Sequence, residues 1–226
     1  MATTIQKSTL RFLSDLTGNN TREWFNGNKK RYEAARHNYT EFLDELLLEV
    51  QQFEPAARGQ KGKDLLFRIY RDVRFSNDKR PYKDHFGAYI AEGGRKSIYP
   101  GYYLHLAGDN KSFVAGGLWM PPAEQLKAVR QEIDYNLDGF REIVEDPAFR
   151  ERFGELQGEQ LKTTPKGYDK ENPAIQYLRY KSWNAVMPLP DAVVLQDDFL
   201  QVVIEAMWAL KPLNDFLLQP MLDIGE

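Results

Sequence analysis

Between Phe67 and Lys83 the chain runs Phe-Arg-Ile-Tyr-Arg-Asp-Val-Arg-Phe-Ser-Asn-Asp-Lys-Arg-Pro-Tyr-Lys, with six cations and two carboxylates set among large apolar residues. Charged side chains seldom interleave with such residues unless they are paired or hold a ligand. In the ligand reading, Arg68, Arg71, Arg74, Lys79 and Lys83 converge on phosphate or carboxylate, because guanidinium forks match those oxygens two at a time. Tyr82, with Tyr70 and Phe75, would stack on a base or another planar group. Arg179 and Lys181 would join from the C-terminal half, and Asp72, Asp78 and His85 are the candidates for proton transfer. The partner is then an anionic small molecule, and the protein an enzyme acting on a phosphorylated or nucleotide-like substrate.

Two other readings use the same residues differently. The arginines and aspartates can pair with one another as a network tying the N-terminal helices to a sheet, with Ser76, Asn77 and Asp78 capping a turn before Pro81. Alternatively the protein is a non-catalytic interaction module that presents Trp119, Met120 and Tyr102/Tyr103 as an exposed aromatic patch. On sequence alone the three stay open, as does whether the protein is an enzyme.

Several chemistries lack their motifs. The chain has no G-x-S-x-G elbow, phosphate loop, H-E-x-x-H or dinucleotide fingerprint. His37, His85 and His105 are scattered at spacings that suggest no metal site, and outside the ligand reading His85 and His105 are ordinary half-buried sheet residues. No metal or cofactor is expected. With no cysteine, disulfides and thiol catalysis are excluded, which fits a cytoplasmic location. No apolar run reaches the ~20 residues of a membrane span, and no cationic-then-apolar leader pattern opens the chain.

Net charge is −3 over 226 residues, which argues against a dedicated nucleic-acid binder without excluding one. The charge is uneven, however. Residues 61–84 hold eight cations and four carboxylates, a local +4 that leaves −7 for the remainder.

The elements that would position this island read as helices, then strands, then helices. Ser8 caps a helix over residues 8–16. A second opens at Thr21, kinks near Gly27 and runs to about Phe53 on the spacing of Tyr32, Tyr39, Phe42/Leu43, Leu46 and Val50. Leu65, Phe67 and Ile69 alternate as a strand, although helical spacing also fits there. Strands follow at Phe86–Ala91, Tyr102–Ala107 and Phe113–Trp119, with a hairpin at Gly108-Asp109-Asn110. Gly116-Gly117 marks a bulge or the close approach of another backbone or a ligand. Helices follow from Pro121-Pro122, over 138–146 and over 147–153, then an irregular connection over 157–174. Pro188 and Pro190 read as a turn before helices over 197–210 and 212–222. The expectation is an α+β fold, a small mostly antiparallel sheet flanked by N- and C-terminal helices, in one domain over residues 1–226. Its parts are helices over 8–53, a sheet region over about 65–120 and helices over 122–222. The oligomeric state is open.

Four stretches carry a resemblance: Asn19-Asn20-Thr21-Arg22-Glu23-Trp24-Phe25, the run from Arg68 to Lys83, Ala115-Gly116-Gly117-Leu118-Trp119-Met120-Pro121, and, more loosely, Leu178-Arg179-Tyr180-Lys181-Ser182-Trp183. Together they resemble an uncharacterised, mostly bacterial family, domain of unknown function 2461. The resemblance spans nearly the whole chain and implies a single-domain extent. It brings no established activity or catalytic residue.

Overall fold

A computed structural model describes residues 3–222. Helices α1 (Lys7–Gly18), α2 (Arg22–Gly27), α3 (Lys29–Val50) and α4 (Gly62–Leu65) precede strands β1 (His85–Ile90), β2 (Gly101–Ala107) and β3 (Ser112–Leu118). Helices α5 (Ala123–Tyr135), α6 (Leu137–Val144), α7 (Pro147–Phe153) and α8 (Ile175–Leu178) lead to β4 (Trp183–Leu189), and α9 (Asp191–Val194) and α10 (Phe199–Leu222) follow it. The four strands form one antiparallel sheet in the order β1-β2-β3-β4, so the fold is α+β as expected.

The chain groups into two compact units, neither continuous in sequence. Residues 3–95, 103–114 and 188–205 form the first. Its core is built on α3, whose Ala35, Tyr39, Phe42, Leu43, Leu46 and Val50 recur at helical spacing and are all buried. Tyr39 stacks on Phe86 (ring centroids 5.8 Å apart) and donates its hydroxyl to the Leu104 carbonyl at 2.9 Å, so its one polar atom is satisfied inside the core. The buried Asn38 accepts from Thr9 Oγ1 and the Gln6 amide and donates to the Thr4 carbonyl, fastening the N-terminal segment to α3. At the hairpin between β2 and β3, Asp109 (φ 60) and Asn110 (φ 58) are both left-handed, as a two-residue turn requires.

Residues 96–102, 115–187 and 206–222 form the second unit. Trp183 is fully buried and donates Nε1–H to the Tyr177 carbonyl at 3.0 Å. Phe140 packs edge-on to Tyr177, and Phe216 lies 5.1 Å from it. Gly117 (φ 121) sits where a Cβ would collide with the Trp183 carbonyl, and its amide donates to Asn214 Oδ1 at 2.8 Å. Close approach of a neighbouring backbone therefore explains this glycine.

Several expectations about elements need correcting. Ser8 lies inside α1, whose N-cap is Gln6. The second helix is two, broken at Asn28, and α3 ends at Val50. No strand forms over residues 65–70. Leu65 closes α4, and the run beyond it pairs with residues 81–88 only through isolated bridges at Leu66↔Ala88 and Tyr70↔Tyr82. The Pro188 turn is instead part of β4, which lies at the sheet's edge, where a missing N–H is tolerated. Pro212 and Pro220 lie inside a single α10. An internal proline costs about 3 kcal/mol. The buried stripe continues through it at Leu213, Leu217 and Met221, each contributing about 1.5–3 kcal/mol, and burial wins.

Candidate functional site

The motif between Arg68 and Lys83 lies in the first unit as an arm that leaves β1's edge and returns to it. Arg71 N donates to the Pro81 carbonyl and Lys83 N to the Ile69 carbonyl, closing its base. Asn20 fixes the returning strand by pairing with both backbone groups of Tyr82, at 3.0 Å each. Tyr82 then stacks on Phe25, ring centroids 3.9 Å apart. At 4% exposure, Tyr82 is a core residue rather than a surface on which a ligand stacks.

Within the arm the charges sort into two groups. Asp72 receives the Arg74 amide, Nε and Nη2, the last at 2.6 Å. Asp78 receives the Arg80 amide and guanidinium, together with Arg71 Nη1 at 2.5 Å. These hydrogen bonds hold Asp72 down at about 2, and Asp78 lower still. A carboxylate that acidic is a poor proton acceptor, so neither suits the proton-transfer role expected for it. Lys79 Nζ donates to the Val73 carbonyl at 3.1 Å. Arg71, Arg74, Arg80, Asp72 and Asp78 are therefore paired with one another inside the arm, and none of these pairs reaches the N-terminal helices. Arg68 and Lys83 remain, and neither has an ion-pair partner among the described residues.

Lys83 is half-buried, its Nζ 5.2 Å from the centre of the Phe67 ring. Burial, reinforced by Arg68, lowers its pKa. Phe67 also lies 6.3 Å from the Tyr103 ring, which links Lys83 to one face of the sheet. On that face His85 of β1 stacks on His105 of β2, ring centroids 4.1 Å apart, and His105 stacks in turn on Phe113 of β3 at 4.5 Å. Tyr103 hydroxyl and His105 Nδ1 are hydrogen-bonded at 3.2 Å. Gly87, directly beneath, leaves room for the Tyr103 ring, since a Cβ there would strike the Tyr103 hydroxyl. The opposite face carries Phe86, Ala88, Ile90, Leu104 and Leu106, all buried, so strand alternation divides an apolar side from a titratable one.

Asp84 Oδ1 lies 3.2 Å from His85 Nδ1. An ionised carboxylate only accepts, so Nδ1 carries the proton and the lone pair of the neutral ring is on Nε2. The two partners shift the same way for different reasons. Burial alone would raise Asp84, but the His85 hydrogen bond and Arg80 outweigh it and keep the carboxyl low. Burial lowers His85 despite the pull of Asp84, with Lys83 and Arg71 adding to the fall. Burial and the neighbouring His85 take His105 down to about 3, and burial pushes Tyr103 up to about 12. At neutral pH the face thus presents two uncharged imidazoles and a neutral phenol beside a poorly solvated amine.

Of the residues singled out from sequence, His85 lies on this face, Lys83 reaches the Phe67 ring beside it and Arg68 is exposed, while Asp72, Asp78, Arg71, Arg74 and Lys79 bond within the arm. Arg179 and Lys181 belong to the second unit, where Lys181 Nζ pairs with Glu159 at 2.5 Å and Arg179 accepts the Leu161 amide at its carbonyl. Asp84, Tyr103, His105, Phe67 and Phe113 were missed as site residues. The alternation Tyr103/His105 was visible, but only the β1–β2 register sets His85 against His105. The expected aromatic patch is also revised, because Tyr102 is 1% exposed and Tyr103 half-buried. In the second unit a cleft of about 230 Å³ holds Glu145, but that carboxylate already accepts from Tyr177 at 2.6 Å and lies 3.8 Å from Arg150.

The fold is that of an α+β protein with a half-buried, titratable sheet face and a cationic arm beside it. The family model described as conserved hypothetical protein (DUF2461) matches residues 8–216, and the chain belongs to that family. Neither the curated proteins nor the solved structures include a match. The sequence stretches that carry the resemblance pack in pairs. Asn20 and Phe25 of the first hold Tyr82 of the second. Gly117 and Met120 of the third meet Trp183 and Ser182 of the fourth, the Met120 amide donating to Ser182 Oγ at 2.9 Å. Among the described residues, no helix is long and apolar enough to cross a membrane.

Proposed function

We propose that the sheet face bearing His85, Tyr103 and His105 binds a small anionic molecule, held by Arg68 and Lys83, and that His85 takes up a proton from it. The site is then enzymatic, and a cytoplasmic location, suggested by the lack of cysteine, belongs to the same proposal. One observation carries it. Three arginines of the arm are ion-paired to aspartates, while among the described residues the half-buried Lys83 has no ion pair and Arg68 has only a longer-range attraction to Asp72. An amine that has given up part of its hydration without gaining a carboxylate is unfavourable until an anion arrives. The Asp84–His85 pair supplies a base with a directed lone pair, and Phe67 and Phe113 supply apolar walls.

The test is thermal stability in the presence of phosphate, sulfate, nucleotides and small carboxylates. A ligand at about 100 times its Kd adds about 2.7 kcal/mol, a rise of roughly 5–10 °C for a chain of this size. The shift should vanish in Lys83→Met and Arg68→Met and survive in Arg74→Ala, whose guanidinium serves only the arm. If no anion shifts the wild type, the reading fails. A non-catalytic interaction module would then gain ground, favoured by Phe75, 96% exposed at the arm's tip, and by Trp119, 70% exposed in the second unit.

A further inference from the structure

We infer that the arm is a docking finger for single-stranded nucleic acid, with the Phe75 ring stacked on an unpaired base and Arg74 and Lys79 on the flanking phosphates. The finger shares none of these residues with the sheet-face site. Two ties join the outgoing limb of the arm to the returning one, Arg71 to the Asp78 carboxylate and Lys79 Nζ to the Val73 carbonyl. Residues 74–77 are thereby set apart as the tip, with Asp72 accepting the Arg74 amide just below it. Phe75 is 96% exposed there, and the guanidinium carbon of Arg74 lies 5.9 Å from its ring centre. The arm's own bonds thus hold a large apolar ring in water, an arrangement that gains stability when something covers the ring.

Charge identifies the partner. Six cations against two carboxylates give the run from Arg68 to Lys83 a net +4, whereas the rest of the chain carries −7. A polyanion is therefore drawn to the arm and repelled elsewhere, which confines the contact to a few charges. Donors for it are free. Arg74 gives Nε and Nη2 to Asp72 and keeps Nη1, and its side chain is 76% exposed. An exposed ion pair contributes little, so a phosphate can replace Asp72 at small cost. Lys79 is exposed and spends one of its three N–H groups on Val73. The single ring decides between polyanions. One phenyl group is a smaller anchor than a single acyl chain, which itself gives only marginal attachment to a lipid surface. For one base it is a full platform, and such stacking needs no particular base. An unpaired base offers its face without the cost of opening a duplex, so the strand is single.

The experiment titrates the whole chain into a fluorescein-labelled oligothymidylate of about fifteen nucleotides at low salt and follows anisotropy. The expected result is binding whose log K falls with log salt at a slope between about −1 and −3, as about two to four phosphates require. Phe75→Ala should weaken it about fivefold or more with the slope unchanged, and Phe75→Trp should restore it. Arg74→Ala should flatten the slope by about 0.7. Both side chains are exposed, and melting at the wild-type temperature confirms that each variant folds. Lys83→Met, which disables the sheet-face anion site, should leave oligonucleotide affinity intact. No binding at low salt, or binding that Phe75→Ala leaves unchanged, overturns the inference. Loss in Lys83→Met without loss in Phe75→Ala does the same and assigns the oligonucleotide to the sheet face. Vesicles of phosphatidylserine and phosphatidylcholine are titrated in parallel. Phe75-dependent binding to them without oligonucleotide binding overturns the inference in favour of a lipid surface.

Discussion

His105 is where burial and titration meet most directly. Its ring lies between His85 and Phe113, and its pKa falls from the ordinary histidine range to about 3 because charging it would strand a cation among rings beside another imidazole. With the folded-state value below the unfolded one, the unfolded chain binds more protons between the two. Stability is therefore full above about pH 6.5 and falls as pH drops toward 3. The limiting slope for one proton is about 1.4 kcal/mol per pH unit, and it averages about 1 over the first two units below 6.5, where the unfolded histidine is only partly protonated. The melting temperature should then drop by about 2–4 °C per pH unit below 6.5. His105→Phe keeps a ring in the stack and removes the titration, so thermal melts from pH 7.5 to 4.5 should flatten, leaving the smaller contribution of His85. An unchanged slope would show that the pair does not govern acid stability. The window stops above the range in which Asp72 and Asp78 begin to protonate and release Arg74, Arg80 and Arg71.

Among the elements, the arm and the third strand show how little of a motif need be chemical. Asn20, reaching from the turn before α2, supplies both hydrogen bonds that a sheet partner would have offered Tyr82, and so anchors the arm without a strand. In β3, Gly117 combines a left-handed φ with contact against the Trp183 backbone. Gly117→Ala should cost at least about 1–3 kcal/mol from backbone strain alone, with the collision added to it. Urea unfolding of that variant should give a clearly lower midpoint than wild type. A midpoint unchanged within error would mean that the backbone shifts without penalty and that the glycine has another purpose.

For the whole molecule, the chain's path matters more than its length. The first unit takes β1 from residues before 95 but Tyr103, His105 and Phe113 from a later return, and residues 188–205 from a later one still. A fragment ending at Arg95 would leave β1 without its partner strand and Phe86 and Ala88 uncovered on one edge. Fragment 1–95 should therefore lack a cooperative thermal transition by circular dichroism, while the full chain shows one. A sharp transition in the fragment would show that the helices and arm fold without the sheet.

Much of this was legible in the linear chain. The α+β order, the three strands 85–118, the amphipathic α3 and the hairpin at Asp109-Asn110 follow from local periodicity and turn chemistry, which depend on neighbours a few residues away. The chemical suspicion attached to Arg68, Lys83 and His85 came from composition in the same way. Tertiary structure decided which cations are spent and which are free. Pairing of Asp78 with Arg71 depends on how the arm folds back, and the burial of Tyr82 depends on Asn20 and Phe25, some sixty residues earlier. The stacking of His85 on His105 is a matter of strand register, which a one-residue slip would reverse. Likewise, the proline-bearing β4 and the unbroken α10 stand because packing outweighs local preference, and that balance involves residues distant in sequence.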